Sequence, residues 1–351
     1  MPRQELPADC PTHELLGGII APGFVDIQIN GGGGVMFNDN QSVEALRTIA
    51  TAHASIGTAA VLPTLITDTP ERTKAAIAAV EQAIAEHVEG VVGIHLEGPH
   101  LSVARKGAHD PSLIRPMNDD DLATVLRAAE RLPNVMMTVA PESTTKSQIR
   151  AMSDAGVIVS LGHTDADFDT CLAAFDGGAR CVTHLFNAMS QLGNREPGLV
   201  GATLARKDIY AGLIADGIHV HPATIRVALA AAQNNERIML VTDAMATAGS
   251  QVDGFVLNDR QVLRNDRRLT LDDGTLAGAD LEMAQALSTM VDAVGDSPID
   301  AIRRATGTPY SFLRGFGAPR PLLETKLFAN YLSDDFTSIK PLPTSPIEWV
   351  A

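Results

Sequence analysis

Along most of the chain, short runs of continuously apolar residues alternate with longer stretches whose apolar positions recur every three to four residues. The runs predict eight strands, at 23–30, 59–67, 91–99, 135–142, 157–165, 180–189, 209–220 and 237–245. The stretches between them predict helices at 42–57, 70–87, 119–132, 146–155, 168–177, 222–234 and 280–294. Ser42 stands as an N-cap, Gly57 closes the first helix, and Pro70 occupies the first turn of the second. Most of the strands are apolar throughout instead of alternating, as a parallel sheet covered on both faces requires. Eight such strands, nearly all followed by helices, predict an α/β chain closed into a (β/α)8 TIM-type barrel. An open doubly wound sheet is the alternative, but no GxGxxG turn follows a strand to support it. The run GGGG at 31–34 reads as a flexible loop that lets backbone approach a ligand.

The pattern changes between about 252 and 278. Apolar and polar residues alternate there around ND and DDG, which is hairpin chemistry, so the segment is expected to be a β insertion in the last barrel loop. After Pro319 the chain is proline-rich and weakly patterned.

In a barrel the chemistry gathers at the C-terminal ends of strands. Here nearly every strand ends in a polar residue: Gln28 and Asn30, Glu97, His163, His184 and Asn187, Asp216 and His219, and Asp243. Taken singly, each reads as a hydrogen-bonded strand end. Glu97, His163 and His184 together form a three-ligand set for a divalent ion such as Zn²⁺, with a fourth position open for water. Asp243 is the spare carboxylate beside it. A carboxylate of pKa about 4 cannot usefully deprotonate free water of pKa about 15.7, a gap of roughly 16 kcal/mol. A metal lowers that water to about 7 and brings it within reach. The set therefore suits hydrolysis of an amide or ester, with Asp243 as general base and then general acid. His95 shares a strand face with Glu97 and reads as support for the site. His100 and His221 read as structural.

Composition narrows the partners. The formal net charge of −15 over 351 residues excludes an extended phosphate-binding surface, so no nucleic-acid partner is expected. A local ring of His109, Arg195, His219 and the Asn187–Ala188 backbone instead suggests capture of a small anion such as a phosphate. Arg195 has a simpler reading as the partner of Glu196. The three cysteines, Cys10, Cys171 and Cys181, form no CxxC pair. With no apolar signal core and no run of about 20 apolar residues, a cytoplasmic protein without a membrane partner is expected.

The motifs PGFVDIQINGGGG, HLEGPH, GHTDA, THLFNAM, REPGLVGA, ADGIHV and VTDAMA, in this order between about 21 and 281, strongly resemble the N-acetylglucosamine-6-phosphate deacetylases of the amidohydrolase superfamily. The resemblance implies removal of acetate from N-acetylglucosamine 6-phosphate, giving glucosamine 6-phosphate. Another N-acyl amino sugar phosphate, or sugar-phosphate binding without catalysis, is the alternative. Gln28-Ile29-Asn30 replaces the His-x-His of most of the superfamily, and strand four lacks its lysine. That implies one metal ion, Zn with Fe, Co or Mn as alternatives, on Glu97, His163 and His184. It implies that Asp243 and His109 are catalytic, and that Ala108, His109, Asn187, Ala188, Arg195 and His219 hold the sugar phosphate. It further implies that Ala277, Gly278 and Ala279 cover the sugar, and that a homodimer completes the phosphate site. Domains are expected at 1–20 and 319–351, forming a reduced small β domain or tail, and at 21–318, the barrel. The short N-terminus and the absent GxLxxGxxADL run, replaced by RPLLETKLFANYL, depart from the family.

Overall fold

The computed structural model describes residues 17–258, 260–313 and 328–342. The expectations for 1–16, 314–327 and 343–351, Cys10 among them, lie outside the described residues. The chain opens with β1 (Ile19–Pro22) and β2 (Phe24–Ile29), then β3 (Gly31–Gly32), β4 (Val35–Met36) and α1 (Val43–Ser55). Strand and helix then alternate: β5 (Thr58–Ile66), α2 (Pro70–Ala85), β6 (Ile94–Glu97), α3 (Asp119–Arg131), β7 (Val135–Val139), α4 (Lys146–Asp154), β8 (Ile158–Leu161) and α5 (Phe168–Gly177). They continue through β9 (Cys181–Val182), α6 (Gly198–Leu204), β10 (Tyr210–Leu213), α7 (Pro222–Ala231) and β11 (Ile238–Leu240). Eight of these strands form one parallel sheet in the order β11-β10-β9-β8-β7-β6-β5-β2. The two end strands meet through Asn30 N–H to the Ala244 carbonyl (2.7 Å) and Asp243 N–H to the Gln28 carbonyl (3.0 Å). The expected barrel is therefore present, nearly closed.

The rest of the described residues add two small sheets and three helices. β12 (Gly254–Leu257), β13 (Arg260–Asn265) and β14 (Arg268–Thr270) form an antiparallel meander beyond β11. α8 (Met283–Ser288), which runs into a π-helical turn at Thr289–Val294, is followed by α9 (Pro298–Ala305) and α10 (Gly307–Phe312). β15 (Ala329–Leu332) and β16 (Ile339–Pro341) join β1 in a three-stranded antiparallel sheet, with Ile19 opposite Leu332. α6, α9 and α10 are absent from the sequence reading. All seven residues of α6 are buried, so it has no polar face to create a helical period. α10 contains Gly307 and Pro309, which hide it. α9 did carry a signal, Ser297 as N-cap with Pro298 in the first turn. Among the described residues, no helix is long and apolar enough to cross a membrane. Cys171 and Cys181 are buried and free, and burial pushes both thiols up to about 12.

The GGGG run is not a flexible loop. β3 and β4 form a tight hairpin, and Gly33 and Gly34 donate to the Ala248 and Ala246 carbonyls at 2.8 Å each. Gly31 is required by protein packing, and Gly33 and Gly34 by left-handed backbone, with φ of 62° and 84°. A Cβ on Gly31 would lie 2.4 Å from the Val35 carbonyl oxygen and 2.9 Å from the Ala246 nitrogen. Gly31→Ala is accordingly expected to destabilise the fold by about 1–3 kcal/mol, read as a lowered midpoint in thermal denaturation.

Candidate metal centre and its cavity

The barrel strands deliver the polar residues to one rim. Glu97 is the last residue of β6, while His163, His184 and Asp243 follow β8, β9 and β11 within three residues. His163, His184 and Asp243 all adopt left-handed backbone, with φ of 47°, 31° and 53°. Non-glycine residues there carry strain of order 1–3 kcal/mol each and persist only where surroundings hold them. Those surroundings are visible. The His163 carbonyl accepts from Ser102 N–H at 2.8 Å, and the His184 carbonyl from Asn187 N–H at 2.9 Å. The Asp243 carbonyl accepts from Ala279 N–H at 2.9 Å.

Glu97, His163 and His184 converge while buried. Glu97 Oε1 lies 3.0 Å from His163 Nε2 and 3.1 Å from His184 Nε2, and the two nitrogens are 3.0 Å apart. Ligands held about 2.0–2.1 Å from one tetrahedral ion lie about 3.3 Å from each other, so the triangle is close to the size of one face of such a site. The protonation pattern supports the same fit. His163 Nδ1 donates to the Arg105 carbonyl at 2.8 Å, which leaves Nε2 of the neutral ring as a bare lone pair. That lone pair faces a carboxylate oxygen, and two acceptors at this distance need a cation or a proton between them. Burial opposes the charge on Glu97, yet the hydrogen bonds and charges of His163 and His184 hold its carboxyl well below the usual range.

Asp243 stands beside this triangle. Its Oδ1 accepts from Asn30 Nδ2 at 2.7 Å and Gln28 Nε2 at 3.1 Å, and Gln28 Nε2 also lies 3.4 Å from Glu97 Oε2. The two amides at the end of β2 thus tether one carboxylate oxygen and leave Oδ2 without a donor among the described residues. Burial first, then the charge of Glu97, pushes Asp243 up to about 6. His95 touches none of the three ligands by hydrogen bond. Its Nε2 meets Thr138 Oγ1 at 2.7 Å, and Thr138 leads through Thr183 (2.6 Å) to Ser160 (2.7 Å). It belongs to this buried hydroxyl layer. His100 Nδ1 donates to the Arg115 carbonyl, and His221 caps α7.

A cavity of about 250 Å³ opens onto the triangle, lined by Glu97, His163, His184, Asp243, Ala108, His109, Asn187, Ala188, His219 and Gly278. His109 Nδ1 faces the Thr67 hydroxyl at 2.7 Å and the Thr67 N–H at 3.4 Å, both able to donate. Its Nε2 then carries the proton and lies 4.0 Å from Glu97 Oε1. Burial, with the charge of His163, holds this imidazole well below its ordinary pKa and therefore neutral. His219 Nδ1 is fixed by Asp216 Oδ2 at 2.6 Å.

Three expected residues do not line the cavity. Arg195 is exposed and outside the cavity, and it does not pair with Glu196. Glu196 accepts instead from the backbone of Phe168 (2.7 Å) and Gly198 (3.0 Å). Ala277 and Ala279 turn into the core, at 0% and 1% exposure, while Gly278 faces the cavity with its neighbours Thr275 and Leu276. The reason is local: Ala279 pairs with Asp243 and Ala277 with Leu269, so both are locked beneath the rim. Sequence reasoning also missed Met245 and Leu257 as cavity walls, and Arg260, which donates to the Ala108 carbonyl. Alternation in the meander told which residues share a face, but not what that face would meet.

Residues 19–314 match the Amidohydrolase family. The chain is 44% identical over 312 residues to the N-acetylgalactosamine-6-phosphate deacetylase of Shewanella sp. (strain ANA-3), covering 88% of this chain and 78% of that one. It is 34% identical over 312 residues to the N-acetylglucosamine-6-phosphate deacetylase of Haemophilus influenzae, covering 88% and 81%. The crystal structure of N-acetylglucosamine-6-phosphate deacetylase from Pasteurella multocida superimposes with a TM-score of 0.89 at 32% identity, covering 96% and 88%. The chain therefore belongs to the amidohydrolase family, in its group of amino-sugar 6-phosphate deacetylases.

Proposed function

We propose that this protein hydrolyses the acetamide of N-acetylglucosamine 6-phosphate, releasing acetate and glucosamine 6-phosphate, as a cytoplasmic homodimer. The observation that carries the reading is the buried Glu97–His163–His184 triangle with a tethered carboxylate, Asp243, beside it. Those three residues would hold one divalent ion, Zn²⁺ by the nitrogen and oxygen character of the donors. When bound, the ion lowers the pKa of a water molecule to about 7 and polarises a carbonyl. Asp243, with Oδ1 tethered, takes the water proton on its other oxygen and returns it to the sugar nitrogen as the C–N bond breaks. His109 Nε2–H donates to the acetyl oxygen as charge builds there. His219, Asn187 and the backbone at Ala108 and Ala188 orient the sugar phosphate.

Arg195, exposed and without a partner among the described residues, fits a role across a dimer interface, reaching the phosphate held by a second copy. Arg195→Ala is expected to raise KM for the phosphorylated sugar at least about tenfold, the scale of one charge-assisted contact, and to leave the unphosphorylated sugar unaffected. Equal effects on both sugars in steady-state assays would reject phosphate contact.

The 44% identity to a galactosamine-type deacetylase favours a second reading, in which the C4 epimer is the better substrate. Acetate release from the two epimeric sugar phosphates and their unphosphorylated forms tests both readings. Turnover of neither phosphate would reject the assignment.

A further inference from the structure

Asp26 is fully buried in β2, with no exposure, and plays no part in the chemistry above. It sits at the barrel seam where β2 and β11 meet without a regular ladder. Its Oδ2 accepts from the Thr242 hydroxyl at 2.5 Å and from Thr242 N–H at 3.1 Å, and its Oδ1 from Gln28 N–H at 3.1 Å. The Thr242 hydroxyl oxygen in turn accepts from Ala244 N–H at 3.2 Å. The residues on both sides of Asp243 thus hang on one carboxylate. So does Gln28, whose carbonyl accepts the N–H of Asp243 itself. Burial pushes the Asp26 carboxyl up to about 7, against donors that all favour the charged form. A carboxyl buried at that cost, with donors on both of its oxygens, points to a task beyond closing the seam, which Ile29 and Ala244 already bridge.

We propose that Asp26 is a positioning residue for the reaction: through Thr242 it fixes the left-handed turn that aims the Asp243 carboxylate at the cavity. The proposal rests on Asp243 acting as the base. It requires the same defect from either end of the Asp26–Thr242 bond, and it requires that defect to spare metal and substrate binding.

The test uses Asp26→Asn, Thr242→Val, Thr242→Ser and the Asp26→Asn/Thr242→Val double variant, all metal-loaded and assayed below their thermal midpoints. Metal per chain, kcat and KM for acetate release are measured. Asp26→Asn and Thr242→Val are each expected to lose on the order of 10²-fold in kcat, with KM and metal content changed by less than about twofold. Thr242→Ser, which keeps the hydroxyl, should restore most of the rate, and the double variant should be little worse than either single one. A kcat near that of the unaltered protein in Thr242→Val would overturn the proposal. So would a loss of kcat matched by loss of metal or a rise in KM, since a general structural defect produces that pattern. If Asp26→Asn does not fold, the Thr242→Val and Thr242→Ser pair decides alone. An unaltered protein that releases no acetate from either epimer would instead remove the deacetylase reading, and this role with it.

Discussion

Asp243→Asn is expected to lower kcat by about 10²–10⁴-fold while KM and the metal content stay near those of the unaltered protein. The amide keeps the shape of the carboxylate and can still accept from Asn30 and Gln28 through one oxygen. What it loses is the second oxygen, the one able to take a proton from water and return it to the departing amine. Because that group works only when ionised, the rate should fall as pH drops through its pKa. Burial and Glu97 push Asp243 up to about 6, and a bound cation pulls it back down. The acid limb of the kcat–pH profile is therefore expected at or below about 6, and it should vanish in Asp243→Asn. A variant with undiminished turnover, or one that keeps the limb, would assign the base elsewhere.

Glu97→Gln is expected to abolish both metal retention and turnover. Glu97 is the only anion of the triangle, and its Oε1 is the atom that both imidazoles face. A glutamine leaves a neutral oxygen, or an N–H pointed at two lone pairs, neither of which matches a carboxylate as a ligand for a divalent ion. Stability should register the same loss. An ion present at about 1,000 times its Kd stabilises the folded state by about 4 kcal/mol, so chelation should lower the thermal midpoint of the unaltered protein and leave that of Glu97→Gln almost unchanged. Metal analysis after gel filtration, with calorimetry with and without chelator, checks both. A Glu97→Gln protein carrying a full equivalent of metal would contradict the ligand assignment.

The parts of this architecture that were legible in the sequence share one property: a local pattern that carries its own physical cause. The apolar runs of β5, β7 and β8 are buried on both faces, so continuous hydrophobicity and strand coincide. Glu97, His163, His184 and Asp243 were legible because each breaks such a run at its end. β9 was overestimated in length. It spans only Cys181–Val182, since His184 leaves the strand on left-handed backbone to face the cavity, and a φ value leaves no trace in a hydrophobicity pattern. The GGGG run was misread because its contacts are long-range: what forbids a side chain on Gly31 is partly the Ala246 backbone, more than two hundred residues away in sequence. Arg195 was grouped with the cavity by its place after β9, but the 191–196 stretch carries it outward. The Asp26–Thr242 bond joins the first and last barrel strands, so only barrel closure makes it visible.

The central claim is that one divalent ion, held by Glu97, His163 and His184, is what makes this cavity a hydrolase. The most direct measurement is back-titration. Metal-free protein receives Zn²⁺ in sub-stoichiometric steps while acetate release from N-acetylglucosamine 6-phosphate and its C4 epimer is followed. The account predicts no turnover without metal, a linear rise that breaks at one equivalent per chain, and a flat line for Glu97→Gln. Acetate release by the metal-free protein, or a break at two equivalents, would contradict it.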